Sequence, residues 1–163
     1  ATWDVVAWNR AVAVMLTDYS AVPPQERNIL RRIFLDPASR SVQYDWKSVA
    51  KFVVGAFRID AARAGAAADV EPLVAELCRL SPEFKTMWQN HDVHSHGEAV
   101  KHIRHPVLGK TSFEYSAFAV DGRPDLSMVV YNPVNRADLE KIRSLLKPGS
   151  TSKRKSRPAR SRA

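Results

Sequence analysis

The alternation of apolar and polar positions changes character twice along the chain, and each change marks a new kind of element. Residues 2–9, Thr-Trp-Asp-Val-Val-Ala-Trp-Asn, place Trp3, Val5 and Ala7 on one side of an extended run and Val6 and Trp8 on the other. Both sides are apolar, which predicts an internal strand. From Asn9, a good capping residue, the run Arg-Ala-Val-Ala-Val-Met-Leu-Thr favours a short helix. Pro23 and Pro24 break it, and Ile29, Leu30, Ile33 and Phe34 recur at helical spacing until Asp36-Pro37 ends a second helix. The longest pattern starts near Ser41 and carries Val42, Trp46, Val49, Phe52, Val53, Ala56 and Phe57 toward Gly65. Asp69 is placed to cap a fourth helix bearing Leu73, Leu77 and Leu80. Ser81-Pro82-Glu83 then opens a fifth bearing Phe84, Met87 and Trp88. Five helical segments are thus expected before residue 91.

Beyond that point the period falls from 3.6 to 2. Strands are expected at 99–104, 111–120 and 126–131, separated by His-Pro-Val-Leu-Gly and Asp-Gly-Arg-Pro turns, and an antiparallel meander is the simplest connection. In the middle strand Phe113, Tyr115 and Ala117 face one side and Ser112, Glu114 and Ser116 the other, so one surface should meet helices and the other water. Residues 135–146 read as a closing helix. Joined to the first strand, these elements predict an α+β fold, a mixed sheet with helices over one face, which is the arrangement of PAS-type sensors.

Composition narrows the class. A chain of 163 residues with 45% hydrophobic content supports one core, and no stretch approaches the eighteen or so uncharged apolar residues of a membrane helix. The start, Ala-Thr-Trp-Asp, lacks both a Met and a secretory pattern, so a preceding segment is expected. The single cysteine, Cys78, lies in the apolar repeat of Val70, Leu73, Val74 and Leu77; this excludes a disulfide framework and fits a reducing, cytoplasmic setting. The net charge of +8 is concentrated at one end. Residues 147–163 hold seven basic residues and no acid, leaving 18 bases against 17 acids in the rest. We therefore expect a sensor domain over 1–146 and a disordered basic tail over 147–163, either simply solvated or weakly and salt-sensitively attracted to nucleic acid.

Several segments, in order, resemble a known family. They are Trp-Asp-Val-Val-Ala-Trp-Asn at 3–9, Arg-Asn-Ile-Leu-Arg at 27–31, Phe-Leu-Asp-Pro at 34–37, Arg40 with Asp45-Trp46, and Leu-Val-Ala-Glu-Leu at 73–77. Ser-Pro-Glu-Phe at 81–84, Trp88 with His-Asp-Val at 91–93, Lys101 with His105-Pro106, Gly109, and Met-Val-Val-Tyr at 128–131 continue the series. Together they resemble the PAS-like ligand-binding domain of MmyB-like transcription regulators. The resemblance implies a DNA-binding helix-turn-helix domain of XRE type ahead of this chain, contact with DNA through that domain, and a small apolar, fatty-acid-like ligand between sheet and helices; a homodimer is a further partner to be expected. The chain departs from the family pattern in adding a helix and a basic tail after the last strand.

The residues offer material for such a site. Phe34, Trp46, Val53 and Phe57 from helices, with Phe113, Tyr115 and Val130 from strands, are candidates to line an apolar space, against the plainer reading of each as core. A ligand carboxylate needs a cationic fork at the mouth. Arg27, Arg40 and Arg58 are the candidates, the first two within family-matching segments, with ion pairs to Asp36 or Asp45 as the structural alternative. His91, His94, His96, His102 and His105 fall within fifteen residues but lack the second cysteine or the helical His pair that would support zinc, so capping roles and no metal are expected. No phosphate loop, nucleophile elbow or carboxylate pair beside a histidine is present, so neither an enzyme nor a cofactor is expected. Two readings remain open: a ligand-responsive regulator domain, and a dimerisation module whose pocket is filled by its own side chains.

Overall fold

The computed structural model describes residues 2–63, 67–90 and 100–147. The helices before residue 91 are α1 (Arg10–Met15), α2 (Ile29–Leu35), α3 (Pro37–Val42), α4 (Trp46–Arg63), α5 (Ala67–Leu80) and α6 (Pro82–Gln89), with two 3₁₀ turns at Tyr19–Ala21 and Pro24–Glu26. Three strands follow, β1 (Val100–His105), β2 (Gly109–Val120) and β3 (Arg123–Pro133), and α7 (Arg136–Leu146) closes the described chain. The sheet order is β1-β2-β3 with both pairs antiparallel, the meander expected from the alternation, and the fold class is α+β. The expected basic tail lies, but for Lys147, outside the described residues.

Capping chemistry sets most helix starts. The Asn9 side chain accepts from Val12 N, Ser81 from Phe84 N and Asn135 from Asp138 N, each satisfying a first-turn N–H that the helix leaves unpaired. Asp36 ends α2 and in the same stroke caps α3 by accepting from Ala38 N and Ser39 N. The expected long helix from Ser41 is therefore two, and α4 begins only at Trp46, where the Asp45 carboxylate accepts from Ser48 N at 3.1 Å. Asp69 does not cap α5; it sits inside its first turn, where its charge suits the helix dipole.

The expected N-terminal strand does not form. Residues 2–9 make one isolated bridge, Asp4 to Asn28, so the sheet is purely antiparallel and not mixed. At its start Trp3 adopts φ 61°, in the left-handed region, which interrupts the extended run, and its indole meets Phe57 at 5.7 Å. Val6, read as an inward position, is 73% exposed. What ties this segment down is Asn28, which is fully buried: it caps α2 through Leu30 N and Arg31 N and donates to Thr2 O and Asp4 Oδ1, both at 2.8 Å. Asn28→Ala is expected to cost about 1–2 kcal/mol, the range for a lost cap with stranded partners. Urea denaturation checks it, and an unchanged midpoint would show that the N-terminal segment adds nothing to stability.

The interior divides in two. A helical core joins Leu30, Val53, Val54, Phe57, Val70, Leu73, Leu77 and Phe84. A second core joins Met15, Ile103, Phe113 and Ile142 where α1 and α7 meet the sheet. Along β1, Lys101, Ile103 and His105 share the side on which Phe113 lies, because strand positions alternate and Lys101 pairs with Phe113. The opposite side of the β2–β3 hairpin exposes Phe118 (50%) and its partner Met128 (55%).

Candidate functional site

The two cores meet along a seam where α4 crosses the sheet, and the seam is aromatic. Phe52 of α4 packs on the helical core, Tyr131 of β3 on the sheet core, and Tyr115 of β2 stands between them, its ring 5.8 Å from Phe52 and 5.7 Å from Tyr131. Against these rings β1 places an amine. Lys101 Nζ lies 4.2 Å from the Tyr115 ring centroid, 5.1 Å from Phe52 and 5.6 Å from Tyr131. Ring faces attract an ammonium but supply no counter-charge. No acid pairs with Lys101 among the described residues, and burial brings its pKa down to about 8. Burial also raises the pKa of Tyr115 and of Tyr131, so both phenols stay protonated and remain donors at neutral pH. Neither hydroxyl has a hydrogen-bond partner among the described residues, and both side chains are half-buried.

The structure gathers some of the residues singled out above and separates others. Val53 and Phe57 lie deep in the helical core. Phe34 packs beside them, edge-on to Trp46 at 5.7 Å and Phe84 at 5.0 Å, and Trp46 Nε1 donates to Ile33 O. Phe113 belongs to the other core, and Tyr115 to the seam. Val130 pairs with Ser116 and so faces away from Tyr115 and the helices. These seven positions do not surround one space.

The three arginines are engaged in holding elements together. Arg27 donates through Nε to Val22 O at 2.9 Å over the Trp8 ring. Arg40 pairs with Glu83 at 2.9 Å, not with Asp36 or Asp45, and lies 3.9 Å above Trp46. Arg58 caps the end of α6 by donating to Trp88 O at 2.6 Å. His91, His94 and His96 lie outside the described residues. His105 has the expected capping role: Val107 N and Leu108 N donate to Nδ1, which makes Nε2 the protonated atom donating to Val14 O at 3.2 Å. His102 meets Ser112 Oγ at 2.8 Å on the other side of the sheet.

Lys101, Phe52 and Tyr131 were not among the expected lining residues. A signal for Lys101 was present, since strand parity puts it in the same row as Ile103. Concavities also occur away from the seam: one of about 360 Å³ between α4 and α6, bordered by Lys51, Val54, Arg58 and Met87, and one of about 420 Å³ beside Arg31, Arg32 and Glu76. Both are shallow grooves whose cations are mostly committed to Trp88, Glu76 and Asp36.

Among the described residues no helix is long and apolar enough to cross a membrane, and no cluster of His, Cys, Asp and Glu is arranged to hold a metal. No curated protein and no solved structure matches the chain. One family does match, over residues 1–145, which covers the helices, the seam, all three strands and most of α7. With that span, the chain belongs to the ligand-binding domains of MmyB-like transcription regulators.

Proposed function

We propose that this effector domain binds a small, largely apolar, fatty-acid-like molecule in the seam between α4 and the sheet, and that occupancy changes how an attached helix-turn-helix domain engages DNA. The observation that supports this reading is the seam itself: two cores that do not merge, with a half-buried amine and two half-buried phenols set among apolar rings between them. An apolar wall carrying a few convergent polar groups is the ordinary make-up of a small-molecule site. A ligand bridging Phe52 on α4 to Tyr115 and Tyr131 on the sheet would favour one relative setting of the two layers, and that differential affinity is what shifts a two-state equilibrium. Phe34, Trp46, Val53, Phe57 and Phe113 then support the walls from behind. We place this chemistry in the cytoplasm, where a DNA-bound regulator acts.

A second reading has its own observation. Phe118 and Met128 stand exposed and paired on the helix-free side of the sheet, which suits a homodimerisation module with a self-filled interior. Native mass spectrometry of the chain, before and after incubation with saturated fatty acids of several lengths, separates the two. A stoichiometric one-to-one adduct is expected. A bare mass under every condition, with a dimer present, would move the assignment to the dimerisation module.

A further inference from the structure

Resting on the reading of the seam as an effector site, we infer that residues 3–15 form a strap across it, and that the fastening of this strap at Trp3 holds the site shut until an effector releases it. The two ends of the strap belong to different cores. Trp3 packs on the helical core, where α4 holds it twice: its ring is edge-on to Phe57 at 5.7 Å and its Nε1 donates to Asp60 at 2.9 Å. Met15 is buried in the sheet core, and the Val14 carbonyl just before it accepts from His105 of β1 at 3.2 Å. The stretch between has little length to give. Val5 N donates to Arg27 O at 2.6 Å, Trp8 packs on Tyr19 at 5.5 Å, and α1 begins at Arg10.

The helix that holds Trp3 is also a wall of the seam. Phe52 of α4 meets Tyr115 of β2 edge to face at 5.8 Å, which is already contact, so a molecule that enters between them has to part α4 from the sheet. Parting the layers carries the helical core away from the sheet core and draws Trp3 away from Met15. Only residues 6–9 lie between the backbone bond of Val5 and the first turn of α1, so one end must let go. Trp3 is the weaker end. It is half-buried, and its φ of 61° is a conformation that an L-residue keeps only where its surroundings impose it. Met15 and His105, by contrast, are 6% and 7% exposed. Asp60 touches both sides of the device: it holds the Trp3 indole, and its charge adds to burial in raising the Tyr115 phenol. Release of Trp3 loosens the segment ahead of α1, and that segment is the route by which occupancy of the seam reaches an attached DNA-binding domain.

Nuclear magnetic resonance of the full chain, labelled with nitrogen-15 and titrated with decanoate as the probe, tests this directly. Saturation should shift the Trp3 indole N–H and speed its exchange with solvent about tenfold, the loss of one partly buried hydrogen bond. By reciprocity Trp3→Phe, which keeps a ring but loses the donor, should bind decanoate about three- to tenfold tighter in calorimetry. Phe84→Leu weakens the same core at Phe34 and Trp88, away from the strap, and should leave the affinity unchanged. If decanoate binds while the Trp3 indole stays as it was, or if Trp3→Phe and Phe84→Leu alter affinity alike, the strap is wrong although the effector reading stands. If decanoate does not bind, the effector reading fails and the strap with it. Circular dichroism reports whether Trp3→Phe is folded; if it is not, the wild-type indole titration decides.

Discussion

Phe57→Ala is expected to destabilise the chain by about 3–5 kcal/mol, the cost of emptying a fully buried aromatic site. Phe57 is the point where three parts of the chain are fastened together. Its ring meets Trp3 from the N-terminal segment at 5.7 Å and Trp88 from α6 at 5.9 Å, while its own helix α4 carries Val53 and Val54 in the same core. Truncation leaves a void that the neighbouring rings cannot close without moving α6 or releasing Trp3. The measurement is guanidinium denaturation followed by tryptophan fluorescence. A loss below about 1 kcal/mol would mean that the helical core repacks and that Trp3 is not held by it. Ile142→Ala in the separate sheet core should add independently to the loss, because the two cores share no buried residue.

Stability of the ligand-free chain is expected to rise with pH between about 8 and 10, on account of Lys101. Its folded pKa, about 8, lies below its ordinary value of 10.5. Below pH 8 the amine is protonated in both folded and unfolded chains, and the fold bears the whole cost of burying the charge. As pH climbs through 8 the folded chain gives up the proton while the unfolded chain still holds it, so the slope of stability with pH is positive. The total gain should be on the order of 2 kcal/mol, allowing for the residual exposure of the side chain. Above pH 10 the raised phenols of Tyr115 and Tyr131 act in the opposite sense, since the unfolded chain then ionises first. The difference between wild type and Lys101→Met across this range isolates the lysine. Methionine, which buries no charge, should be the more stable at pH 7, and the gap should close by pH 10. A constant gap would place Lys101 in ordinary solvent.

Helix starts and strand pairing were legible from sequence because both are decided within a few residues. Asn9, Ser81 and Asn135 cap the helices that follow them through N–H groups three positions on. The row of Phe113 and Tyr115 faces the helices because strand positions alternate. The errors came where two local readings competed. Apolar alternation over residues 2–9 promised a strand, and the left-handed turn at Trp3 cancelled it for the sake of a long-range contact with Phe57. Asp36 ended one helix and began another, a double role that periodicity alone does not separate.

The candidate site was legible in kind but not in membership. Tyr115 was singled out, whereas Phe52 passed as one more position in the stripe of α4, and Lys101 and Tyr131 went without a role. Hydrophobic pattern says which side of an element is buried; it does not say which other element will cover it. Residue pattern alone was enough for the C-terminal meander and its closing helix, for the caps at Asn9, Ser81 and Asn135, and for the family. Packing across the chain divides the apolar stripes into two cores instead of one, commits Arg27, Arg40 and Arg58 to holding elements together, and sets Lys101 between the cores with no acid beside it among the described residues. The physical reason is range: caps and alternation act over a few residues, whereas α4 and β1 are distant in sequence and meet only when packing brings them together.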